Sequence, residues 1–377
     1  MSSNTTVFFY LIVEIISLWF VYLAKKARKN IPSRSNNYYS LKNGIYIAIS
    51  FVTLFLVAAL REHVGTDYST YVDIYSKVID NNFSPGERTW LKQSPLFYIL
   101  CIALSKITKD YHLMFGIVSF VTIYFVYRAI IRSSSDCLIS LYLYFCFCLY
   151  FQSFNQIRQM AAVSISLYAI TWLAEKKREK FIFWIFVAAG FHMSALIVLS
   201  LLVVWKWKIS TKNMAFYAMG GIVLFFGFPW LLDNFSTISY IRIYRDSVFA
   251  TSFTRTSVLN LMVRIAMYMV SFWMLRPYAK KRMQQTVLLN TVAICTLFQV
   301  CAVRFSIFGR ITTYFFVAYL LLIPDVFRSA QRKFTAQNPK IGRSFLVILC
   351  FLYQLTYYFS SAGASGGGYL NYYFITI

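Results

Sequence analysis

Apolar runs of about 17–25 residues recur along this chain, and each is long enough to cross ~30 Å of hydrocarbon as a helix. Lipid offers backbone amides no partners, so a run of this kind folds as a helix or not at all. The pattern predicts spans at Val7–Ala24, Asn43–Leu60, His112–Ile131, Cys137–Gln152, Asn155–Ala174 and Met214–Leu231. Further spans are predicted at Ser257–Arg276, Thr286–Val303, about Phe308–Pro324, and Ser344–Ser361. The first run has no basic leader and no A-x-A site, so it reads as a retained helix and not a signal peptide. The fold class is therefore all-α: one polytopic membrane bundle over residues 1–377, with about ten spanning helices and a few short or re-entrant ones.

Two stretches break the pattern. Ser94–Ile107 is apolar but short for a span, and suits a re-entrant or interfacial helix. Phe181–Trp205 is interrupted midway by Gly190-Phe191-His192. It reads as a hairpin of two short helices with His192 near its tip, or else as one long span.

Charge assigns the sides. The net charge of +24 in 377 residues would suggest nucleic acid in a soluble chain. Here 59% of residues are hydrophobic and 20% aromatic, and the positive charge falls in short clusters between apolar runs. That is the positive-inside pattern of a membrane protein, and no nucleic-acid partner is expected. Lys25–Asn30 and Glu175–Lys180 both belong inside only if Ser94–Ile107 dips in without crossing. Both termini then lie outside. Residues 61–111 form a first external loop with its re-entrant helix, and residues 232–256 a second. On this topology the outer set of basic residues is mostly arginine: Arg61, Arg88, Arg158, Arg242, Arg245, Arg255, Arg264, Arg304 and Arg310, against Lys77, Lys92, Lys106 and Lys109. Cytoplasmic anchoring needs only charge, whereas an arginine excess suits planar, bidentate recognition of an oxyanion such as phosphate.

Arg158 stands out. It opens an apolar helix amid Gln152, Asn155, Gln156 and Gln159. An arginine costs ~2.5–3.5 kcal/mol at the centre of a membrane helix and less near an end, so it usually faces a wet cavity or a partner. Snorkelling to headgroups is the plain alternative, but it requires none of the amides. Arg264, about two turns into its span, is either paired with a buried acid such as Glu14 or aimed into a cavity. In the first loop, Leu60–Tyr75 holds a guanidinium, carboxylates, a histidine and three tyrosines. Gly65 permits a tight turn, and Thr66 or Asp67 can cap a helix. On that helix Tyr68, Tyr71 and Tyr75 share one face. Aromatic faces beside carboxylates suit carbohydrate; an ordinary capped amphipathic helix on the membrane surface is the alternative. The seven cysteines read as small hydrophobes, and the histidines form no HExxH, so neither disulfides nor a metal site is expected.

RxxxGTDYxxY (Arg61–Tyr71), a short helix, FNxIRQxxA (Phe154–Ala162) and FHMSA (Phe191–Ala195), in that order, resemble the EpsG family of polysaccharide polymerases, which are similar to the Wzy O-antigen and capsule polymerases. The resemblance implies a GT-C-like glycosyltransferase of the bacterial cytoplasmic membrane, without a cofactor. It would act on the outer face, moving a glycan from undecaprenyl diphosphate onto the non-reducing end of a second lipid-linked repeat unit. Its partners would be those lipid-linked glycans, membrane lipid, and a flippase and chain-length regulator. On this basis Arg158 and Arg61 are the first candidates to meet the diphosphate, with Arg264, Arg304 and Arg310 behind them and Arg245 in the second loop. Tyr68, Tyr71, Asn155 and Gln159 are candidate substrate contacts. Asp67 and His192 compete as the base, and His192 as a hydrogen-bonded core histidine is the alternative.

Other readings fit less well. Gly363-Ala364-Ser365-Gly366 spells the GxSG of rhomboid proteases, and Gly367 completes a GxSxG, but the rhomboid histidine follows its serine whereas His63, His112 and His192 all precede this one, and the glycine run reads as a flexible tail. A transporter or lipid-linked-sugar flippase would favour repeats with helices broken in matching halves, and no repeat is visible. A ligase or O-acyltransferase would take another acceptor. The topology has a direct check. Cysteines introduced at Ser84 and Ser236 should react with an impermeant thiol reagent in intact cells, and one at Lys177 should not; labelling at Lys177 would move Arg158 to the cytoplasmic face.

Overall fold

Hydropathy becomes helix nearly everywhere that it was expected to. The structure, a computed structural model, describes residues 3–29, 41–84, 93–234, 255–279, 282–333, 339–359 and 366–375. Among these residues, six helices are individually long and apolar enough to cross a membrane, or eight spans if each of two bent helix pairs counts as one. Two further helices, of 24 and 21 residues, occupy the Met214–Leu231 and Ser344–Ser361 runs. The chain is a polytopic all-α membrane protein. It divides into two compact units: residues 1–168, 186–193 and 334–377, and residues 169–185 and 194–333.

The first unit starts with α1 (Ser3–Lys29) packed along α2 (Leu41–Ala59). A two-residue strand β1 (Arg61–Glu62) leads to α3 (Tyr68–Asp80), then α4 (Pro95–Ser105) and α5 (His112–Ser133). At 11 residues α4 is about 17 Å long, roughly half a bilayer, so it is the short helix the sequence anticipated. Polar side chains join the long helices. Ser50 donates to the Ser17 carbonyl at 2.9 Å and meets the Tyr127 hydroxyl at 2.7 Å. The run predicted as one span at Cys137–Gln152 is instead α6 (Cys137–Cys146) and α7 (Leu149–Asn155), bent by 51°. No proline or glycine marks that bend. Cys148 makes it by adopting a left-handed φ of 56° inside the protein, where neighbours cover the freed backbone. After one non-helical residue, Gln156, α8 (Ile157–Ala174) continues. Arg158 thus sits in the first turn past a break, not within the opening of a single helix from Asn155.

α9 (Arg178–Phe191) ends where the sequence placed an interruption, and His192 lies in the break. A 3₁₀ helix (Met193–Ser200) and one α turn, α10 (Leu201–Val204), follow. The second unit adds α11 (Thr211–Asn234), α12 (Arg255–Ala279), α13 (Met283–Ala302), α14 (Ile307–Phe316) and α15 (Tyr319–Lys333). α13 is its axis, packed by α11, α12, α14 and α15. Asn290 on α13 donates to the carbonyls of Val204 and Trp207 at 2.8 and 3.0 Å, satisfying the end of α10, and accepts from the Tyr217 hydroxyl. The predicted Phe308–Pro324 span is likewise bent, by 51°, between α14 and α15, and α15 runs through Pro324.

α16 (Pro339–Phe359) returns to the first unit, against α6. The chain then corrects a sequence expectation. Gly366–Gly368 is no flexible tail: these residues form a turn, followed by strand β2 (Tyr373–Phe374), which pairs antiparallel with β1 in the register Arg61 to Phe374 and Glu62 to Tyr373. Gly363–Ser365 lie outside the described residues, as do Glu87, Arg88, Arg242 and Arg245 of the two predicted external loops.

Candidate functional site

The first two sequence motifs and the Phe191–Met193 part of the third lie in the first unit. Gly65 adopts a φ of 100°, and a Cβ there would stand 3.0 Å from the Phe154 carbonyl oxygen, so only glycine lets the first loop lie against the α7–α8 junction. Asn155 fastens the contact. Its Oδ1 accepts from the Asp67 amide at 2.6 Å, and its Nδ2 donates to the Thr66 hydroxyl at 2.9 Å. A side-chain amide thereby replaces a missing backbone partner at the start of α3. Asp67 holds the N-cap position, yet its carboxylate makes no capping hydrogen bond to the helix. The carboxylate is half-buried at the turn.

Tyr68, Tyr71 and Tyr75 do share a face of α3, as their spacing predicts, but the face turns inward. All three are buried in a cluster with Phe97, Cys101, Phe115 and Ile157. Tyr68 stacks on Phe115 at 4.6 Å. The aromatic face is core, and no open platform for a sugar ring.

Arg158 joins this cluster from α8. It is 7% exposed, donates from Nη1 to Ser94 Oγ at 3.2 Å, and lies 5.6 and 5.7 Å from the ring centroids of Phe97 and Tyr71. Tyr71 connects two candidates. Burial raises the pKa of its phenol most, Arg158 draws it down through a hydrogen bond, and the Asp67 carboxylate raises it again. One phenol thus senses both the guanidinium of the second motif and the carboxylate of the first. Gln159, the next residue on α8, is also buried.

The third motif reaches the same place through α4. Met193 donates its amide to the Gln93 carbonyl at 2.9 Å, and Gly190 packs so closely on Leu96 that a Cβ would approach its side chain to 2.3 Å. The segment carrying half-buried His192 is therefore fixed to the start of α4, where Ser94 receives Arg158. Ser94 and Gly190 were not among the sequence candidates. A Ser-Pro helix start and a glycine inside an apolar helix were the available signals.

Arg61 is placed differently. It is 0% exposed, donates to the Ala58 carbonyl, to Ser119 Oγ at 3.2 Å and to the Phe154 carbonyl at 3.5 Å, and lies between the rings of Phe115 and Phe154 at 5.0 and 5.1 Å. Burial lowers its pKa to about 10, so it stays charged at neutral pH. In the second unit, Arg264 donates to Cys295 Sγ at 3.1 Å and lies 4.4 Å from the centroid of Phe316. Among the described residues no acidic partner of the kind Glu14 was expected to be is seen for it; Glu14 accepts from Gln354 at 2.7 Å, within the first unit. Arg304 lies over Phe305 and Phe225, and Arg310 is exposed on α14. All seven cysteines are free, and no group of three or more His, Cys, Asp or Glu residues gathers among the described residues.

A sequence profile described as the EpsG family matches residues 44–374, from the start of α2 through β2. No curated protein and no solved structure matches the chain.

The setting of Arg61 predicts a role in the fold. An ammonium cannot reach two carbonyls and a hydroxyl at once, and each lost hydrogen bond from a charged donor costs about 1.5–3 kcal/mol. Arg61→Lys should lower the unfolding midpoint of the purified protein by several degrees, while Arg310→Lys leaves it unchanged. An unshifted midpoint for Arg61→Lys would restore this side chain as a ligand contact.

Proposed function

Because the chain belongs to the EpsG family, a family of Wzy-like polymerases, we propose that it is a polysaccharide polymerase joining undecaprenyl-diphosphate-linked repeat units on the outer face of the bacterial cytoplasmic membrane. The observation that supports this reading is the buried Arg158 guanidinium, which donates to Ser94 at the start of a short helix and lies 5.7 Å from the Tyr71 ring, on the helix whose N-cap is the Asp67 carboxylate residue. A polymerase of this kind needs both. As the bond between the anomeric carbon and the donor's diphosphate oxygen breaks, its electron pair leaves with the lipid diphosphate. Arg158, already desolvated, stabilises that charge as it develops. The acceptor hydroxyl attacks the anomeric carbon and gives up its proton to a base.

Asp67, on the first loop at the start of α3, is one choice for that base. His192, on the segment fixed to α4, is the other. Arginine supplies the charge work on this reading, so the transfer is metal-independent and GT-C-like. Arg61 holds the loop in place and does not meet substrate. Arg264, Arg304 and Arg310, with Arg245, are further candidates for substrate phosphate. The product would be O-antigen, capsule or exopolysaccharide, made with a flippase and a chain-length regulator.

A ligase would use the same leaving group with another acceptor, and the two are separable by glycan. A null strain left with single repeats on the acceptor has lost a polymerase; one left with unattached polymer has lost a ligase. The role of Arg158 is tested at matched protein levels. Arg158→Lys should fail almost as badly as Arg158→Ala, because an ammonium cannot copy a two-pronged contact to a diphosphate. Losing such a contact costs roughly 3–4 kcal/mol, about a hundred- to thousandfold in rate. Glycan length on a gel is the readout. A normal ladder from the Lys variant would leave Arg158 as a headgroup anchor.

A further inference from the structure

The first unit has a second cavity-bearing end. α5 has 22 residues and is about 33 Å long, and Phe115, in the aromatic cluster that Arg158 joins, lies near its start. Near its other end, α1, α2, α5 and α6 enclose a cavity of about 320 Å³. That is the lower end of the range for small-molecule sites, roughly 300–1,000 Å³. The cavity therefore lies toward the opposite membrane face from the Arg158 region, and the proposed transfer makes no use of it. On the topology set by loop charge, that face is cytoplasmic.

Its depth is marked by aromatic residues. Trp19 and Tyr22, one to two turns before Lys25 on α1, are exposed, with ring centroids 5.6 Å apart. Such residues gather at the membrane–water boundary. The cavity thus lies where acyl chains meet headgroups. Val21, Ile47 and Leu141 give it apolar wall, and Lys25, Ser135 and Asp136 give it polar groups.

Those polar groups are spent unevenly. Asp136 caps α6: its Oδ1 accepts from the amides of Leu138 and Ile139 at 3.2 and 3.5 Å, and its Oδ2 takes Lys25 Nζ at 2.5 Å. Ser134 Oγ accepts from the Asp136 amide at 3.1 Å and meets Ser140 Oγ at 2.6 Å. Ser135 differs. Its hydroxyl is buried, lines the cavity and has no hydrogen-bond partner among the described residues. An ammonium has three donors, so Asp136 orients Lys25 and leaves two of them for a ligand. The lining's one carboxylate is occupied, whereas a hydroxyl and an oriented ammonium are not. Basic residues adjoin the lining in sequence: Lys26 follows Lys25, Lys42 precedes Asn43, Arg128 follows Tyr127, and Arg132 follows Ile131.

We propose that this cavity binds an anionic phospholipid, with phosphate oxygens accepting from Lys25 and Ser135 and an acyl chain against Val21, Ile47 and Leu141. Basic pockets between membrane helices are a general means of holding such headgroups. A zwitterionic lipid would bring its ammonium into the basic surround, and free phosphate would leave the apolar wall uncovered. The bound lipid ties together the four helices that line the cavity. None of the residues assigned to polymerisation takes part, so this inference stands apart from that reading.

The test titrates the purified full-length protein in detergent and counts retained lipid by native mass spectrometry. The probes are phosphatidylglycerol, phosphatidylcholine with the same chains, and inorganic phosphate. One phosphatidylglycerol should be retained, roughly tenfold more tightly than phosphatidylcholine, the scale of one hydrogen bond to a charged group. Equal retention of the two lipids would overturn the anionic assignment. Displacement of the lipid by inorganic phosphate would make this a site for a soluble anion instead. Ser135→Ala should weaken phosphatidylglycerol several-fold, and Ala24→Leu, which fills the cavity from α1, should abolish its retention. Lys208→Gln, which removes an exposed positive charge in the second unit, should change nothing. Equal weakening by Lys208→Gln would show only diffuse surface charge and overturn the site. Ser135→Ala removes a single oxygen, so an unchanged affinity in that variant would overturn the proposal even if Ala24→Leu failed to fold.

Discussion

The site region of the first unit depends on one side chain standing in for backbone. At the α7–α8 junction the helix is interrupted, and the chain around Gly65 is likewise outside any helix. Irregular backbone at membrane depth or at its margin survives only where protein supplies the hydrogen bonds that lipid cannot. Asn155 does so for Thr66 and Asp67, and the carbonyls of Gly367 and Gly368 do so for Thr66 and Gly65. Glycine at 65 makes the approach possible. Without these contacts the Asp67 turn, the α3 face and the Arg158 side chain would have no common frame.

Two buried arginines in that frame carry charge to different ends. Arg61 spends its guanidinium on two carbonyls, a hydroxyl and two flanking rings, and holds α2, α5 and α7 together. Arg158 meets a serine hydroxyl at a helix start and lies over the Tyr71 ring. Polar groups of that kind are exchangeable for a ligand in a way that buried carbonyls are not, because leaving a carbonyl unpaired costs its full desolvation penalty. On the proposed reading this difference divides the labour: one guanidinium maintains the loop, and the other meets the diphosphate.

Much of this was legible in the sequence because hydropathy alone reports helices in lipid. The long runs, the short helix at Pro95–Ser105 and the break at His192 all appear where the pattern places them. The two 51° bends were not legible, since Phe147–Cys148 and Val317–Ala318 carry neither proline nor glycine and the turns are made by tertiary contact. Residue types also pointed to the Asp67 and Arg158 region, but not to the facing of its parts. Spacing put Tyr68, Tyr71 and Tyr75 on one side of α3 without saying that the side is core. The largest gap was Gly366–Gly368. Composition makes a glycine run look mobile, whereas here its lack of side chains is what allows two backbones to touch.

The central claim, that this chain forms glycosidic bonds by arginine-assisted departure of a lipid diphosphate, is tested most directly with the purified protein alone. It would be placed in vesicles with repeat units linked to a lipid diphosphate, in excess chelator. The account predicts a ladder of polymer, with one lipid diphosphate released for each linkage formed. Movement of repeat units across the bilayer without bond formation, or a ladder that appears only when Mg²⁺ is restored, would contradict it.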